Sequence, residues 1–180
     1  DYKKADCART LAATLAYFLI QQRDGVGLSI FDSEVRDYLP ARWRPGQLRH
    51  LLSKLEREPE GRETNLGHAL EEVAKLNQKR SLVLIISDFL TDPVEWEVEL
   101  GHLVAMRHDV RAIQILDPAE LSLDFGSAAQ WEDLETGKRL YIDPDVARKD
   151  YLEKFSVHQA QVKKTFDQRG ISFQTVSSDT

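Results

Sequence analysis

Three side chains in this sequence pair suitable chemistry with a suitable position for holding a cation or moving a proton: Thr64, Asp88 and Asp117. Asp88 follows Leu82-Val83-Leu84-Ile85-Ile86-Ser87, an apolar run that stops at a serine and an acid. Such a run, rich in β-branched residues and bounded by polar ones, reads as a strand buried on both faces, as in a parallel sheet. Open α/β sheets bind ligands outside the carboxyl ends of their strands, so Asp88 stands where a metal or a reaction would be. Ser87 and Asp88 could equally shape the loop or cap the next helix. Asp117 ends a second apolar run, directly before Pro118, and reads as a ligand or as a turn residue. Thr64 lies in the polar loop Gly61-Arg62-Glu63-Thr64-Asn65-Leu66, where a helix opens. Its hydroxyl is a hard oxygen ligand of the kind magnesium takes while keeping several waters. It is also a natural N-cap, and two lone pairs permit both roles.

Other chemistry is poorly represented. The sequence has no Gly-x-Ser-x-Gly elbow, no phosphate-binding glycine loop and no His-Glu-x-x-His. His50, His68, His102, His108 and His158 are scattered over helices and their ends and read as surface or partly packed residues. The single Cys7 excludes an internal disulfide and CxxC zinc sites, suits a reducing, cytoplasmic setting, and falls on an apolar helical face as a core residue.

The elements that must position these residues follow from hydrophobic period. Ala5, Ala8, Leu11, Ala12, Leu15, Phe18 and Leu19 predict a helix over 2–22. Residues 26–31 predict a strand, 32–34 a tight turn and 35–39 a returning antiparallel strand at a sheet edge. Pro45 opens a helix carrying Leu48, Leu51, Leu52 and Leu55. Leu66, Ala69, Leu70, Val73 and Leu76 mark another. After the strand ending at Ser87 comes a helix with Val94, Val98, Leu103 and Val104 on its face, with Trp96 packing, then a strand over 110–116. Residues 128–142 predict an inserted β-hairpin on which Trp131 is a candidate exposed anchor for a protein partner. A helix over 144–169 ends at Gly170, and 171–176 is the last strand. Alternating strands and helices predict a doubly wound, mainly parallel α/β sheet, in which the strands ending near Phe31, Ser87, Leu116 and Val176 are mutually parallel.

The chain of 180 residues is 42% hydrophobic and 30% charged, which fits a single domain over 1–180. A formal net charge of -6 argues against nucleic acid, and Arg36, Arg42, Arg44 and Arg49, the only basic cluster, read as a solvated face. No apolar run approaches the ~20 residues of a membrane span, and no signal peptide is visible.

The order of short signatures along the chain resembles the bacterial von Willebrand factor A-like family catalogued as domain of unknown function fifty-eight. They are Asp24-Gly25-Val26-Gly27-Leu28 leading to Phe31, Gly61-x-x-Thr64-x-Leu66 with Ala69-Leu70, and Ile86-Ser87-Asp88-Phe89. Asp117-Pro118-x-Glu120, Asp133-x-Glu135-Thr136-Gly137, and Ala147-Arg148 with Tyr151 complete the series.

The resemblance implies a metal-ion-dependent adhesion site for magnesium or manganese. Thr64 matches the ligand of the family's second loop and Asp88 that of the third, with Ser87 in support. The resemblance also implies a non-enzymatic interaction module whose metal accepts an acidic side chain from a protein partner, and a MoxR-type AAA+ ATPase as that partner, in assembly or remodelling of a complex. The family's Asp-x-Ser-x-Ser loop is absent: the chain opens on what resembles the helix that follows it. The central strand bearing that loop is then expected to be missing or supplied by another chain, and residue 1 is not expected to be the natural start. Weak or no metal binding is expected of the chain alone. The competing readings are a divalent-metal phosphohydrolase or nuclease using Asp88 and Asp117, and a metal-free scaffold.

Overall fold

The computed structural model describes residues 4–57, 64–122, 129–132, 139–142 and 144–179, and only the backbone of those that fall within 129–147. Its strands form three hydrogen-bonded ladders. The largest is parallel, in the order β3 (Leu82–Ser87), β4 (Asp109–Leu116), β7 (Ser172–Ser177). β1 (Val26–Phe31) and β2 (Val35–Arg42) pair as an antiparallel hairpin. β5 (Ala129–Glu132) and β6 (Arg139–Ile142) form the inserted hairpin, with Trp131 opposite Leu140. The surroundings of the Trp131 side chain lie outside the described residues.

The fold is thus mixed α/β, but the single sheet expected from the sequence is corrected. β1 pairs with β2 and not with the parallel ladder, and among the described residues no strand lies between β1 and β3 to join the two. Strand β3 is corrected with it. Only Ile85 is fully buried there, and Leu82 is half exposed, because β3 is an edge of its ladder. The strand buried on both faces is β4, where Val110, Ala112, Ile115 and Leu116 are all inside.

Helix α1 (Lys4–Gln21) packs against β1, β3 and β4, and so spans the two ladders. Two apolar cores result. One gathers Ala16, Leu39, Leu51 and Leu55 between α1, the hairpin and α2 (Gln47–Leu55). The other joins α3 (Leu66–Leu76), α4 (Glu97–Ala105) and α6 (Pro144–Asp167) to the parallel ladder through Leu70, Ile85, Phe89, Trp96 and Phe166. Strand β2 runs three residues beyond expectation, through Pro40, which an edge strand tolerates. The wholly buried Gln47 donates from Nε2 to the carbonyls of Val26 (2.7 Å) and Pro40 (3.0 Å), closing that end of the hairpin.

The helix after β3 needs a second correction. Val94 lies in a 3-10 turn (Pro93–Glu95), and Val94 and Val98 face water. Trp96, Leu100 and Leu103 are the buried face. The break at Trp96, which caps α4 in a non-helical conformation, resets the helical phase that the valines suggested.

Candidate functional site

Asp88 leaves the carboxyl end of β3 on a loop that is held at nearly every residue. The Ser87 hydroxyl accepts from the Phe89 N–H (3.2 Å), and Asp88 Oδ1 accepts from the Leu90 N–H (3.4 Å). The buried Gln114 of β4 donates from Nε2 to the Asp88 carbonyl (2.7 Å) and accepts from the Thr175 hydroxyl (3.1 Å). His158 of α6 bonds through Nε2 to the Phe89 carbonyl (2.8 Å). Phe89 itself adopts a left-handed backbone, φ +51°. A bulky residue there costs on the order of 1–3 kcal/mol and persists only where its surroundings dictate it. Here they do: its ring is buried against Trp96, Phe166 and Phe173, at centroid distances of 5.7, 5.2 and 6.0 Å.

The Asp88 carboxylate already has a cationic neighbour. Lys4 Nζ lies 3.0 Å from Asp88 Oδ2 and 2.6 Å from Glu120 Oε1. Burial works to lower the Lys4 pKa, but the hydrogen bonds and charges of Glu120 and Asp88 outweigh it and hold that pKa above the usual lysine value. Glu120 Oε2 accepts from the Asp117 N–H (2.8 Å), and the Tyr151 hydroxyl donates to the Glu120 carbonyl (2.8 Å). Burial, then the Glu120 charge, raises the Tyr151 pKa. One lysine therefore ties the start of α1 to the ends of β3 and β4 and, through α5 (Pro118–Ser122), to α6.

Asp117 takes the turn role. Its Oδ1 accepts from the Ala119 N–H (2.8 Å), and its Oδ2 is 3.5 Å from the Ser178 hydroxyl. Thr64 is exposed just before α3, whose cap is Asn65: Oδ1 of Asn65 accepts from the His68 N–H (2.9 Å). The Asn65 N–H donates to the Asp32 carbonyl (2.9 Å), which places the Thr64 loop beside the end of β1. Thr64 and Asp88 thus lie beyond the ends of strands in two different ladders, with no hydrogen bond between their side chains. Among the described residues, no three His, Cys, Asp or Glu side chains form a group that could hold a metal ion.

Lys4, Gln114 and His158 escaped the sequence reading. A glutamine set between Ile113 and Ile115 in an apolar run was the available signal for Gln114. The scatter of the histidines concealed that His158 faces the Phe89 carbonyl and that His108 is buried, bonded through Nδ1 to Ser81.

Strand ends, Asp88 and Asp117-Pro118-x-Glu120 define an α/β protein whose polar residues collect at the carboxyl side of a parallel ladder. The chain belongs to the family described as "Protein of unknown function DUF58", whose model matches residues 1–161. It is 34% identical to an uncharacterized protein of Mycobacterium avium, over 68% of this chain and 72% of that protein. It is 28% identical to uncharacterized proteins of Mycobacterium bovis and Mycobacterium tuberculosis, over 98% of this chain and 56% of each. The chain thus spans little more than half the length of those two relatives. No solved structure matches it. No described helix is long and apolar enough to cross a membrane.

Proposed function

We propose that the chain is a non-enzymatic protein-interaction module of von Willebrand factor A type, whose recognition site lies around Asp88. The observation that carries this reading is the pinned loop. Gln114 holds the Asp88 carbonyl, and His158 and the buried ring hold Phe89 in its costly left-handed conformation, which together suit a ligand that must meet a fixed carboxylate. By family resemblance, a MoxR-type AAA+ ATPase is the partner, in assembly or remodelling of a protein complex, and Trp131 on the inserted hairpin is a second point of contact.

The donor chemistry fits a hard divalent ion in part. Thr64 and Asp88 would supply oxygen ligands for magnesium or manganese, with Ser87 supporting the loop. Two such ligands cannot hold a strongly hydrated ion well, so more must come from outside the described residues. The bound ion would offer an open position to an acidic side chain of the partner. What this chain does by itself is present Asp88 rigidly and neutralise it with Lys4.

That lysine favours a second reading, a metal-free recognition module in which the ammonium is the resident cation between Asp88 and Glu120. Calorimetric titration of manganese into the full-length protein separates the two. The metal reading expects measurable binding that Asp88→Ala and Thr64→Ala each weaken, together with partner association that a chelator abolishes. Unchanged affinity in Asp88→Ala would remove Asp88 from any metal site. Chelator-insensitive association would favour the metal-free module.

A further inference from the structure

The segment that follows Asp88 has an inner and an outer side, and the outer side has no role in the reading above. Pro93, Trp96 and Leu100 are buried, the last two at 0% exposure, whereas Leu90, Val94 and Val98 are 42%, 73% and 56% exposed. Single exposed apolar side chains are ordinary. Three within nine residues, on one pinned stretch beside the candidate site, concentrate exposed apolar side chains of the kind interaction sites use.

Its charge is one-sided. Residues 88–99 hold five acids, Asp88, Asp92, Glu95, Glu97 and Glu99, and no lysine or arginine. Three of the five are occupied: Asp88 by Lys4, Glu97 by Arg169 at 3.2 Å, and Asp92 by capping the Val94 N–H at 3.0 Å. Glu95 and Glu99 make no ion pair among the described residues, and each is a chain neighbour of an exposed valine. The backbone beneath is rigid. Gln114 and His158 hold its start, and Gly67 of α3 lies so close to the Glu95 carbonyl that a Cβ there would be 2.4 Å from the oxygen. A surface already ordered loses little freedom on binding.

We propose that residues 88–99 are a docking surface for a basic amphipathic segment of a protein partner. Its apolar side chains would seat on Leu90, Val94 and Val98, and its lysines or arginines would reach Glu95 and Glu99. Charge selects this occupant. A second copy of the chain brings the same acids, and nucleic acid is repelled by them and by the net charge of -6. The surface needs no metal, so it stands or falls separately from the metal reading.

The test is fluorescence anisotropy on the full-length protein, in chelator and at about 0.15 M salt, where weak long-range attraction is screened. The probe is a labelled Leu/Lys amphipathic peptide, with a Leu/Glu peptide of the same pattern as control. The expected result is saturable binding of the Leu/Lys peptide alone. Val94→Ser with Val98→Ser, which leaves every charge in place, should weaken it by about tenfold or more, as should Glu95→Lys with Glu99→Lys. Val94, Glu95 and Val98 are exposed and Glu99 is partly so, and an unchanged thermal midpoint verifies that each variant folds. Equal binding to the valine double variant would reduce the effect to charge attraction and overturn the proposal, as would comparable binding of the Leu/Glu peptide or no binding of the Leu/Lys peptide.

Discussion

Lys4 Nζ stands 3.0 Å from Asp88 Oδ2, so the residue best placed to bind a cation already has one, supplied by the first turn of α1. Glu120 shares the same ammonium at 2.6 Å. Removing the lysine would leave two carboxylates facing each other with no positive charge between them. Lys4→Met is therefore expected to destabilise the fold by about 1 kcal/mol, a modest figure because the pair is partly solvated. Under the metal reading it also removes a competitor, and manganese affinity in the full-length protein should rise several-fold. Urea denaturation and calorimetry read the two effects. A fall in affinity would show that Lys4 positions the metal ligands rather than competing with the ion.

The contact between Gly67 and the Glu95 carbonyl makes a second prediction. An added Cβ would meet that backbone oxygen at 2.4 Å, and backbone cannot swing aside as a long side chain can. Gly67→Ala should force α3 away from the 3-10 turn and cost about 1–3 kcal/mol, the usual range for overpacking. It gives a lower denaturation midpoint in urea. A neutral variant would mean that α3 and the turn do not approach so closely.

How far the sequence can be read depends on whether a feature is local. The end of β3 at Ser87 and the polar turn at Asp117 are visible as the ends of apolar runs, and both are where the structure has them. Hydrogen bonding between strands distant in sequence is not local, so the split between the β1–β2 hairpin and the β3–β4–β7 ladder leaves no trace in periodicity. Val94 and Val98 misled because helical spacing assumes an unbroken helix, and the non-helical Trp96 shifts the phase between them. Lys4 was illegible for another reason. Its partners are 84 and 116 residues away, and only the docking of α1 brings them together.

Phe89 joins the core to the site, and the two contributions can be separated. Phe89→Ala removes a buried ring and leaves the same left-handed backbone to be occupied by another L-residue, so it should cost about 3–5 kcal/mol. Phe89→Leu keeps much of the apolar volume and should cost less. In both, the loss of the ring frees the loop that carries Asp88, and hydrogen exchange at the Leu90 amide should accelerate. Unchanged exchange in Phe89→Ala would show that Gln114 and His158 hold the loop without the ring.

The hairpin should contribute to the acid sensitivity of the molecule. Asp37 sits against Lys54, within hydrogen-bonding reach, and 3.2 Å from Arg57 Nη1, and the Lys54 hydrogen bond leads in holding its pKa below the ordinary carboxylate value. Asp32 is opposed by desolvation but is lowered on balance by Arg36, whose Nε is 2.7 Å away, and by the Glu34 N–H. A carboxyl with a depressed folded pKa binds fewer protons folded than unfolded. Its contribution is therefore complete above the unfolded value of about 3.9 and is lost as pH falls through the folded one. Stability measured by urea should stay level from neutrality to about pH 5 as far as these two groups are concerned, then decline below about pH 4. Asp37→Asn should lower stability at pH 7 and flatten part of that decline, because the asparagine has no proton to take up. A variant with the same acid limb as the parent would show that the Lys54 and Arg57 contacts are too well solvated to couple to folding.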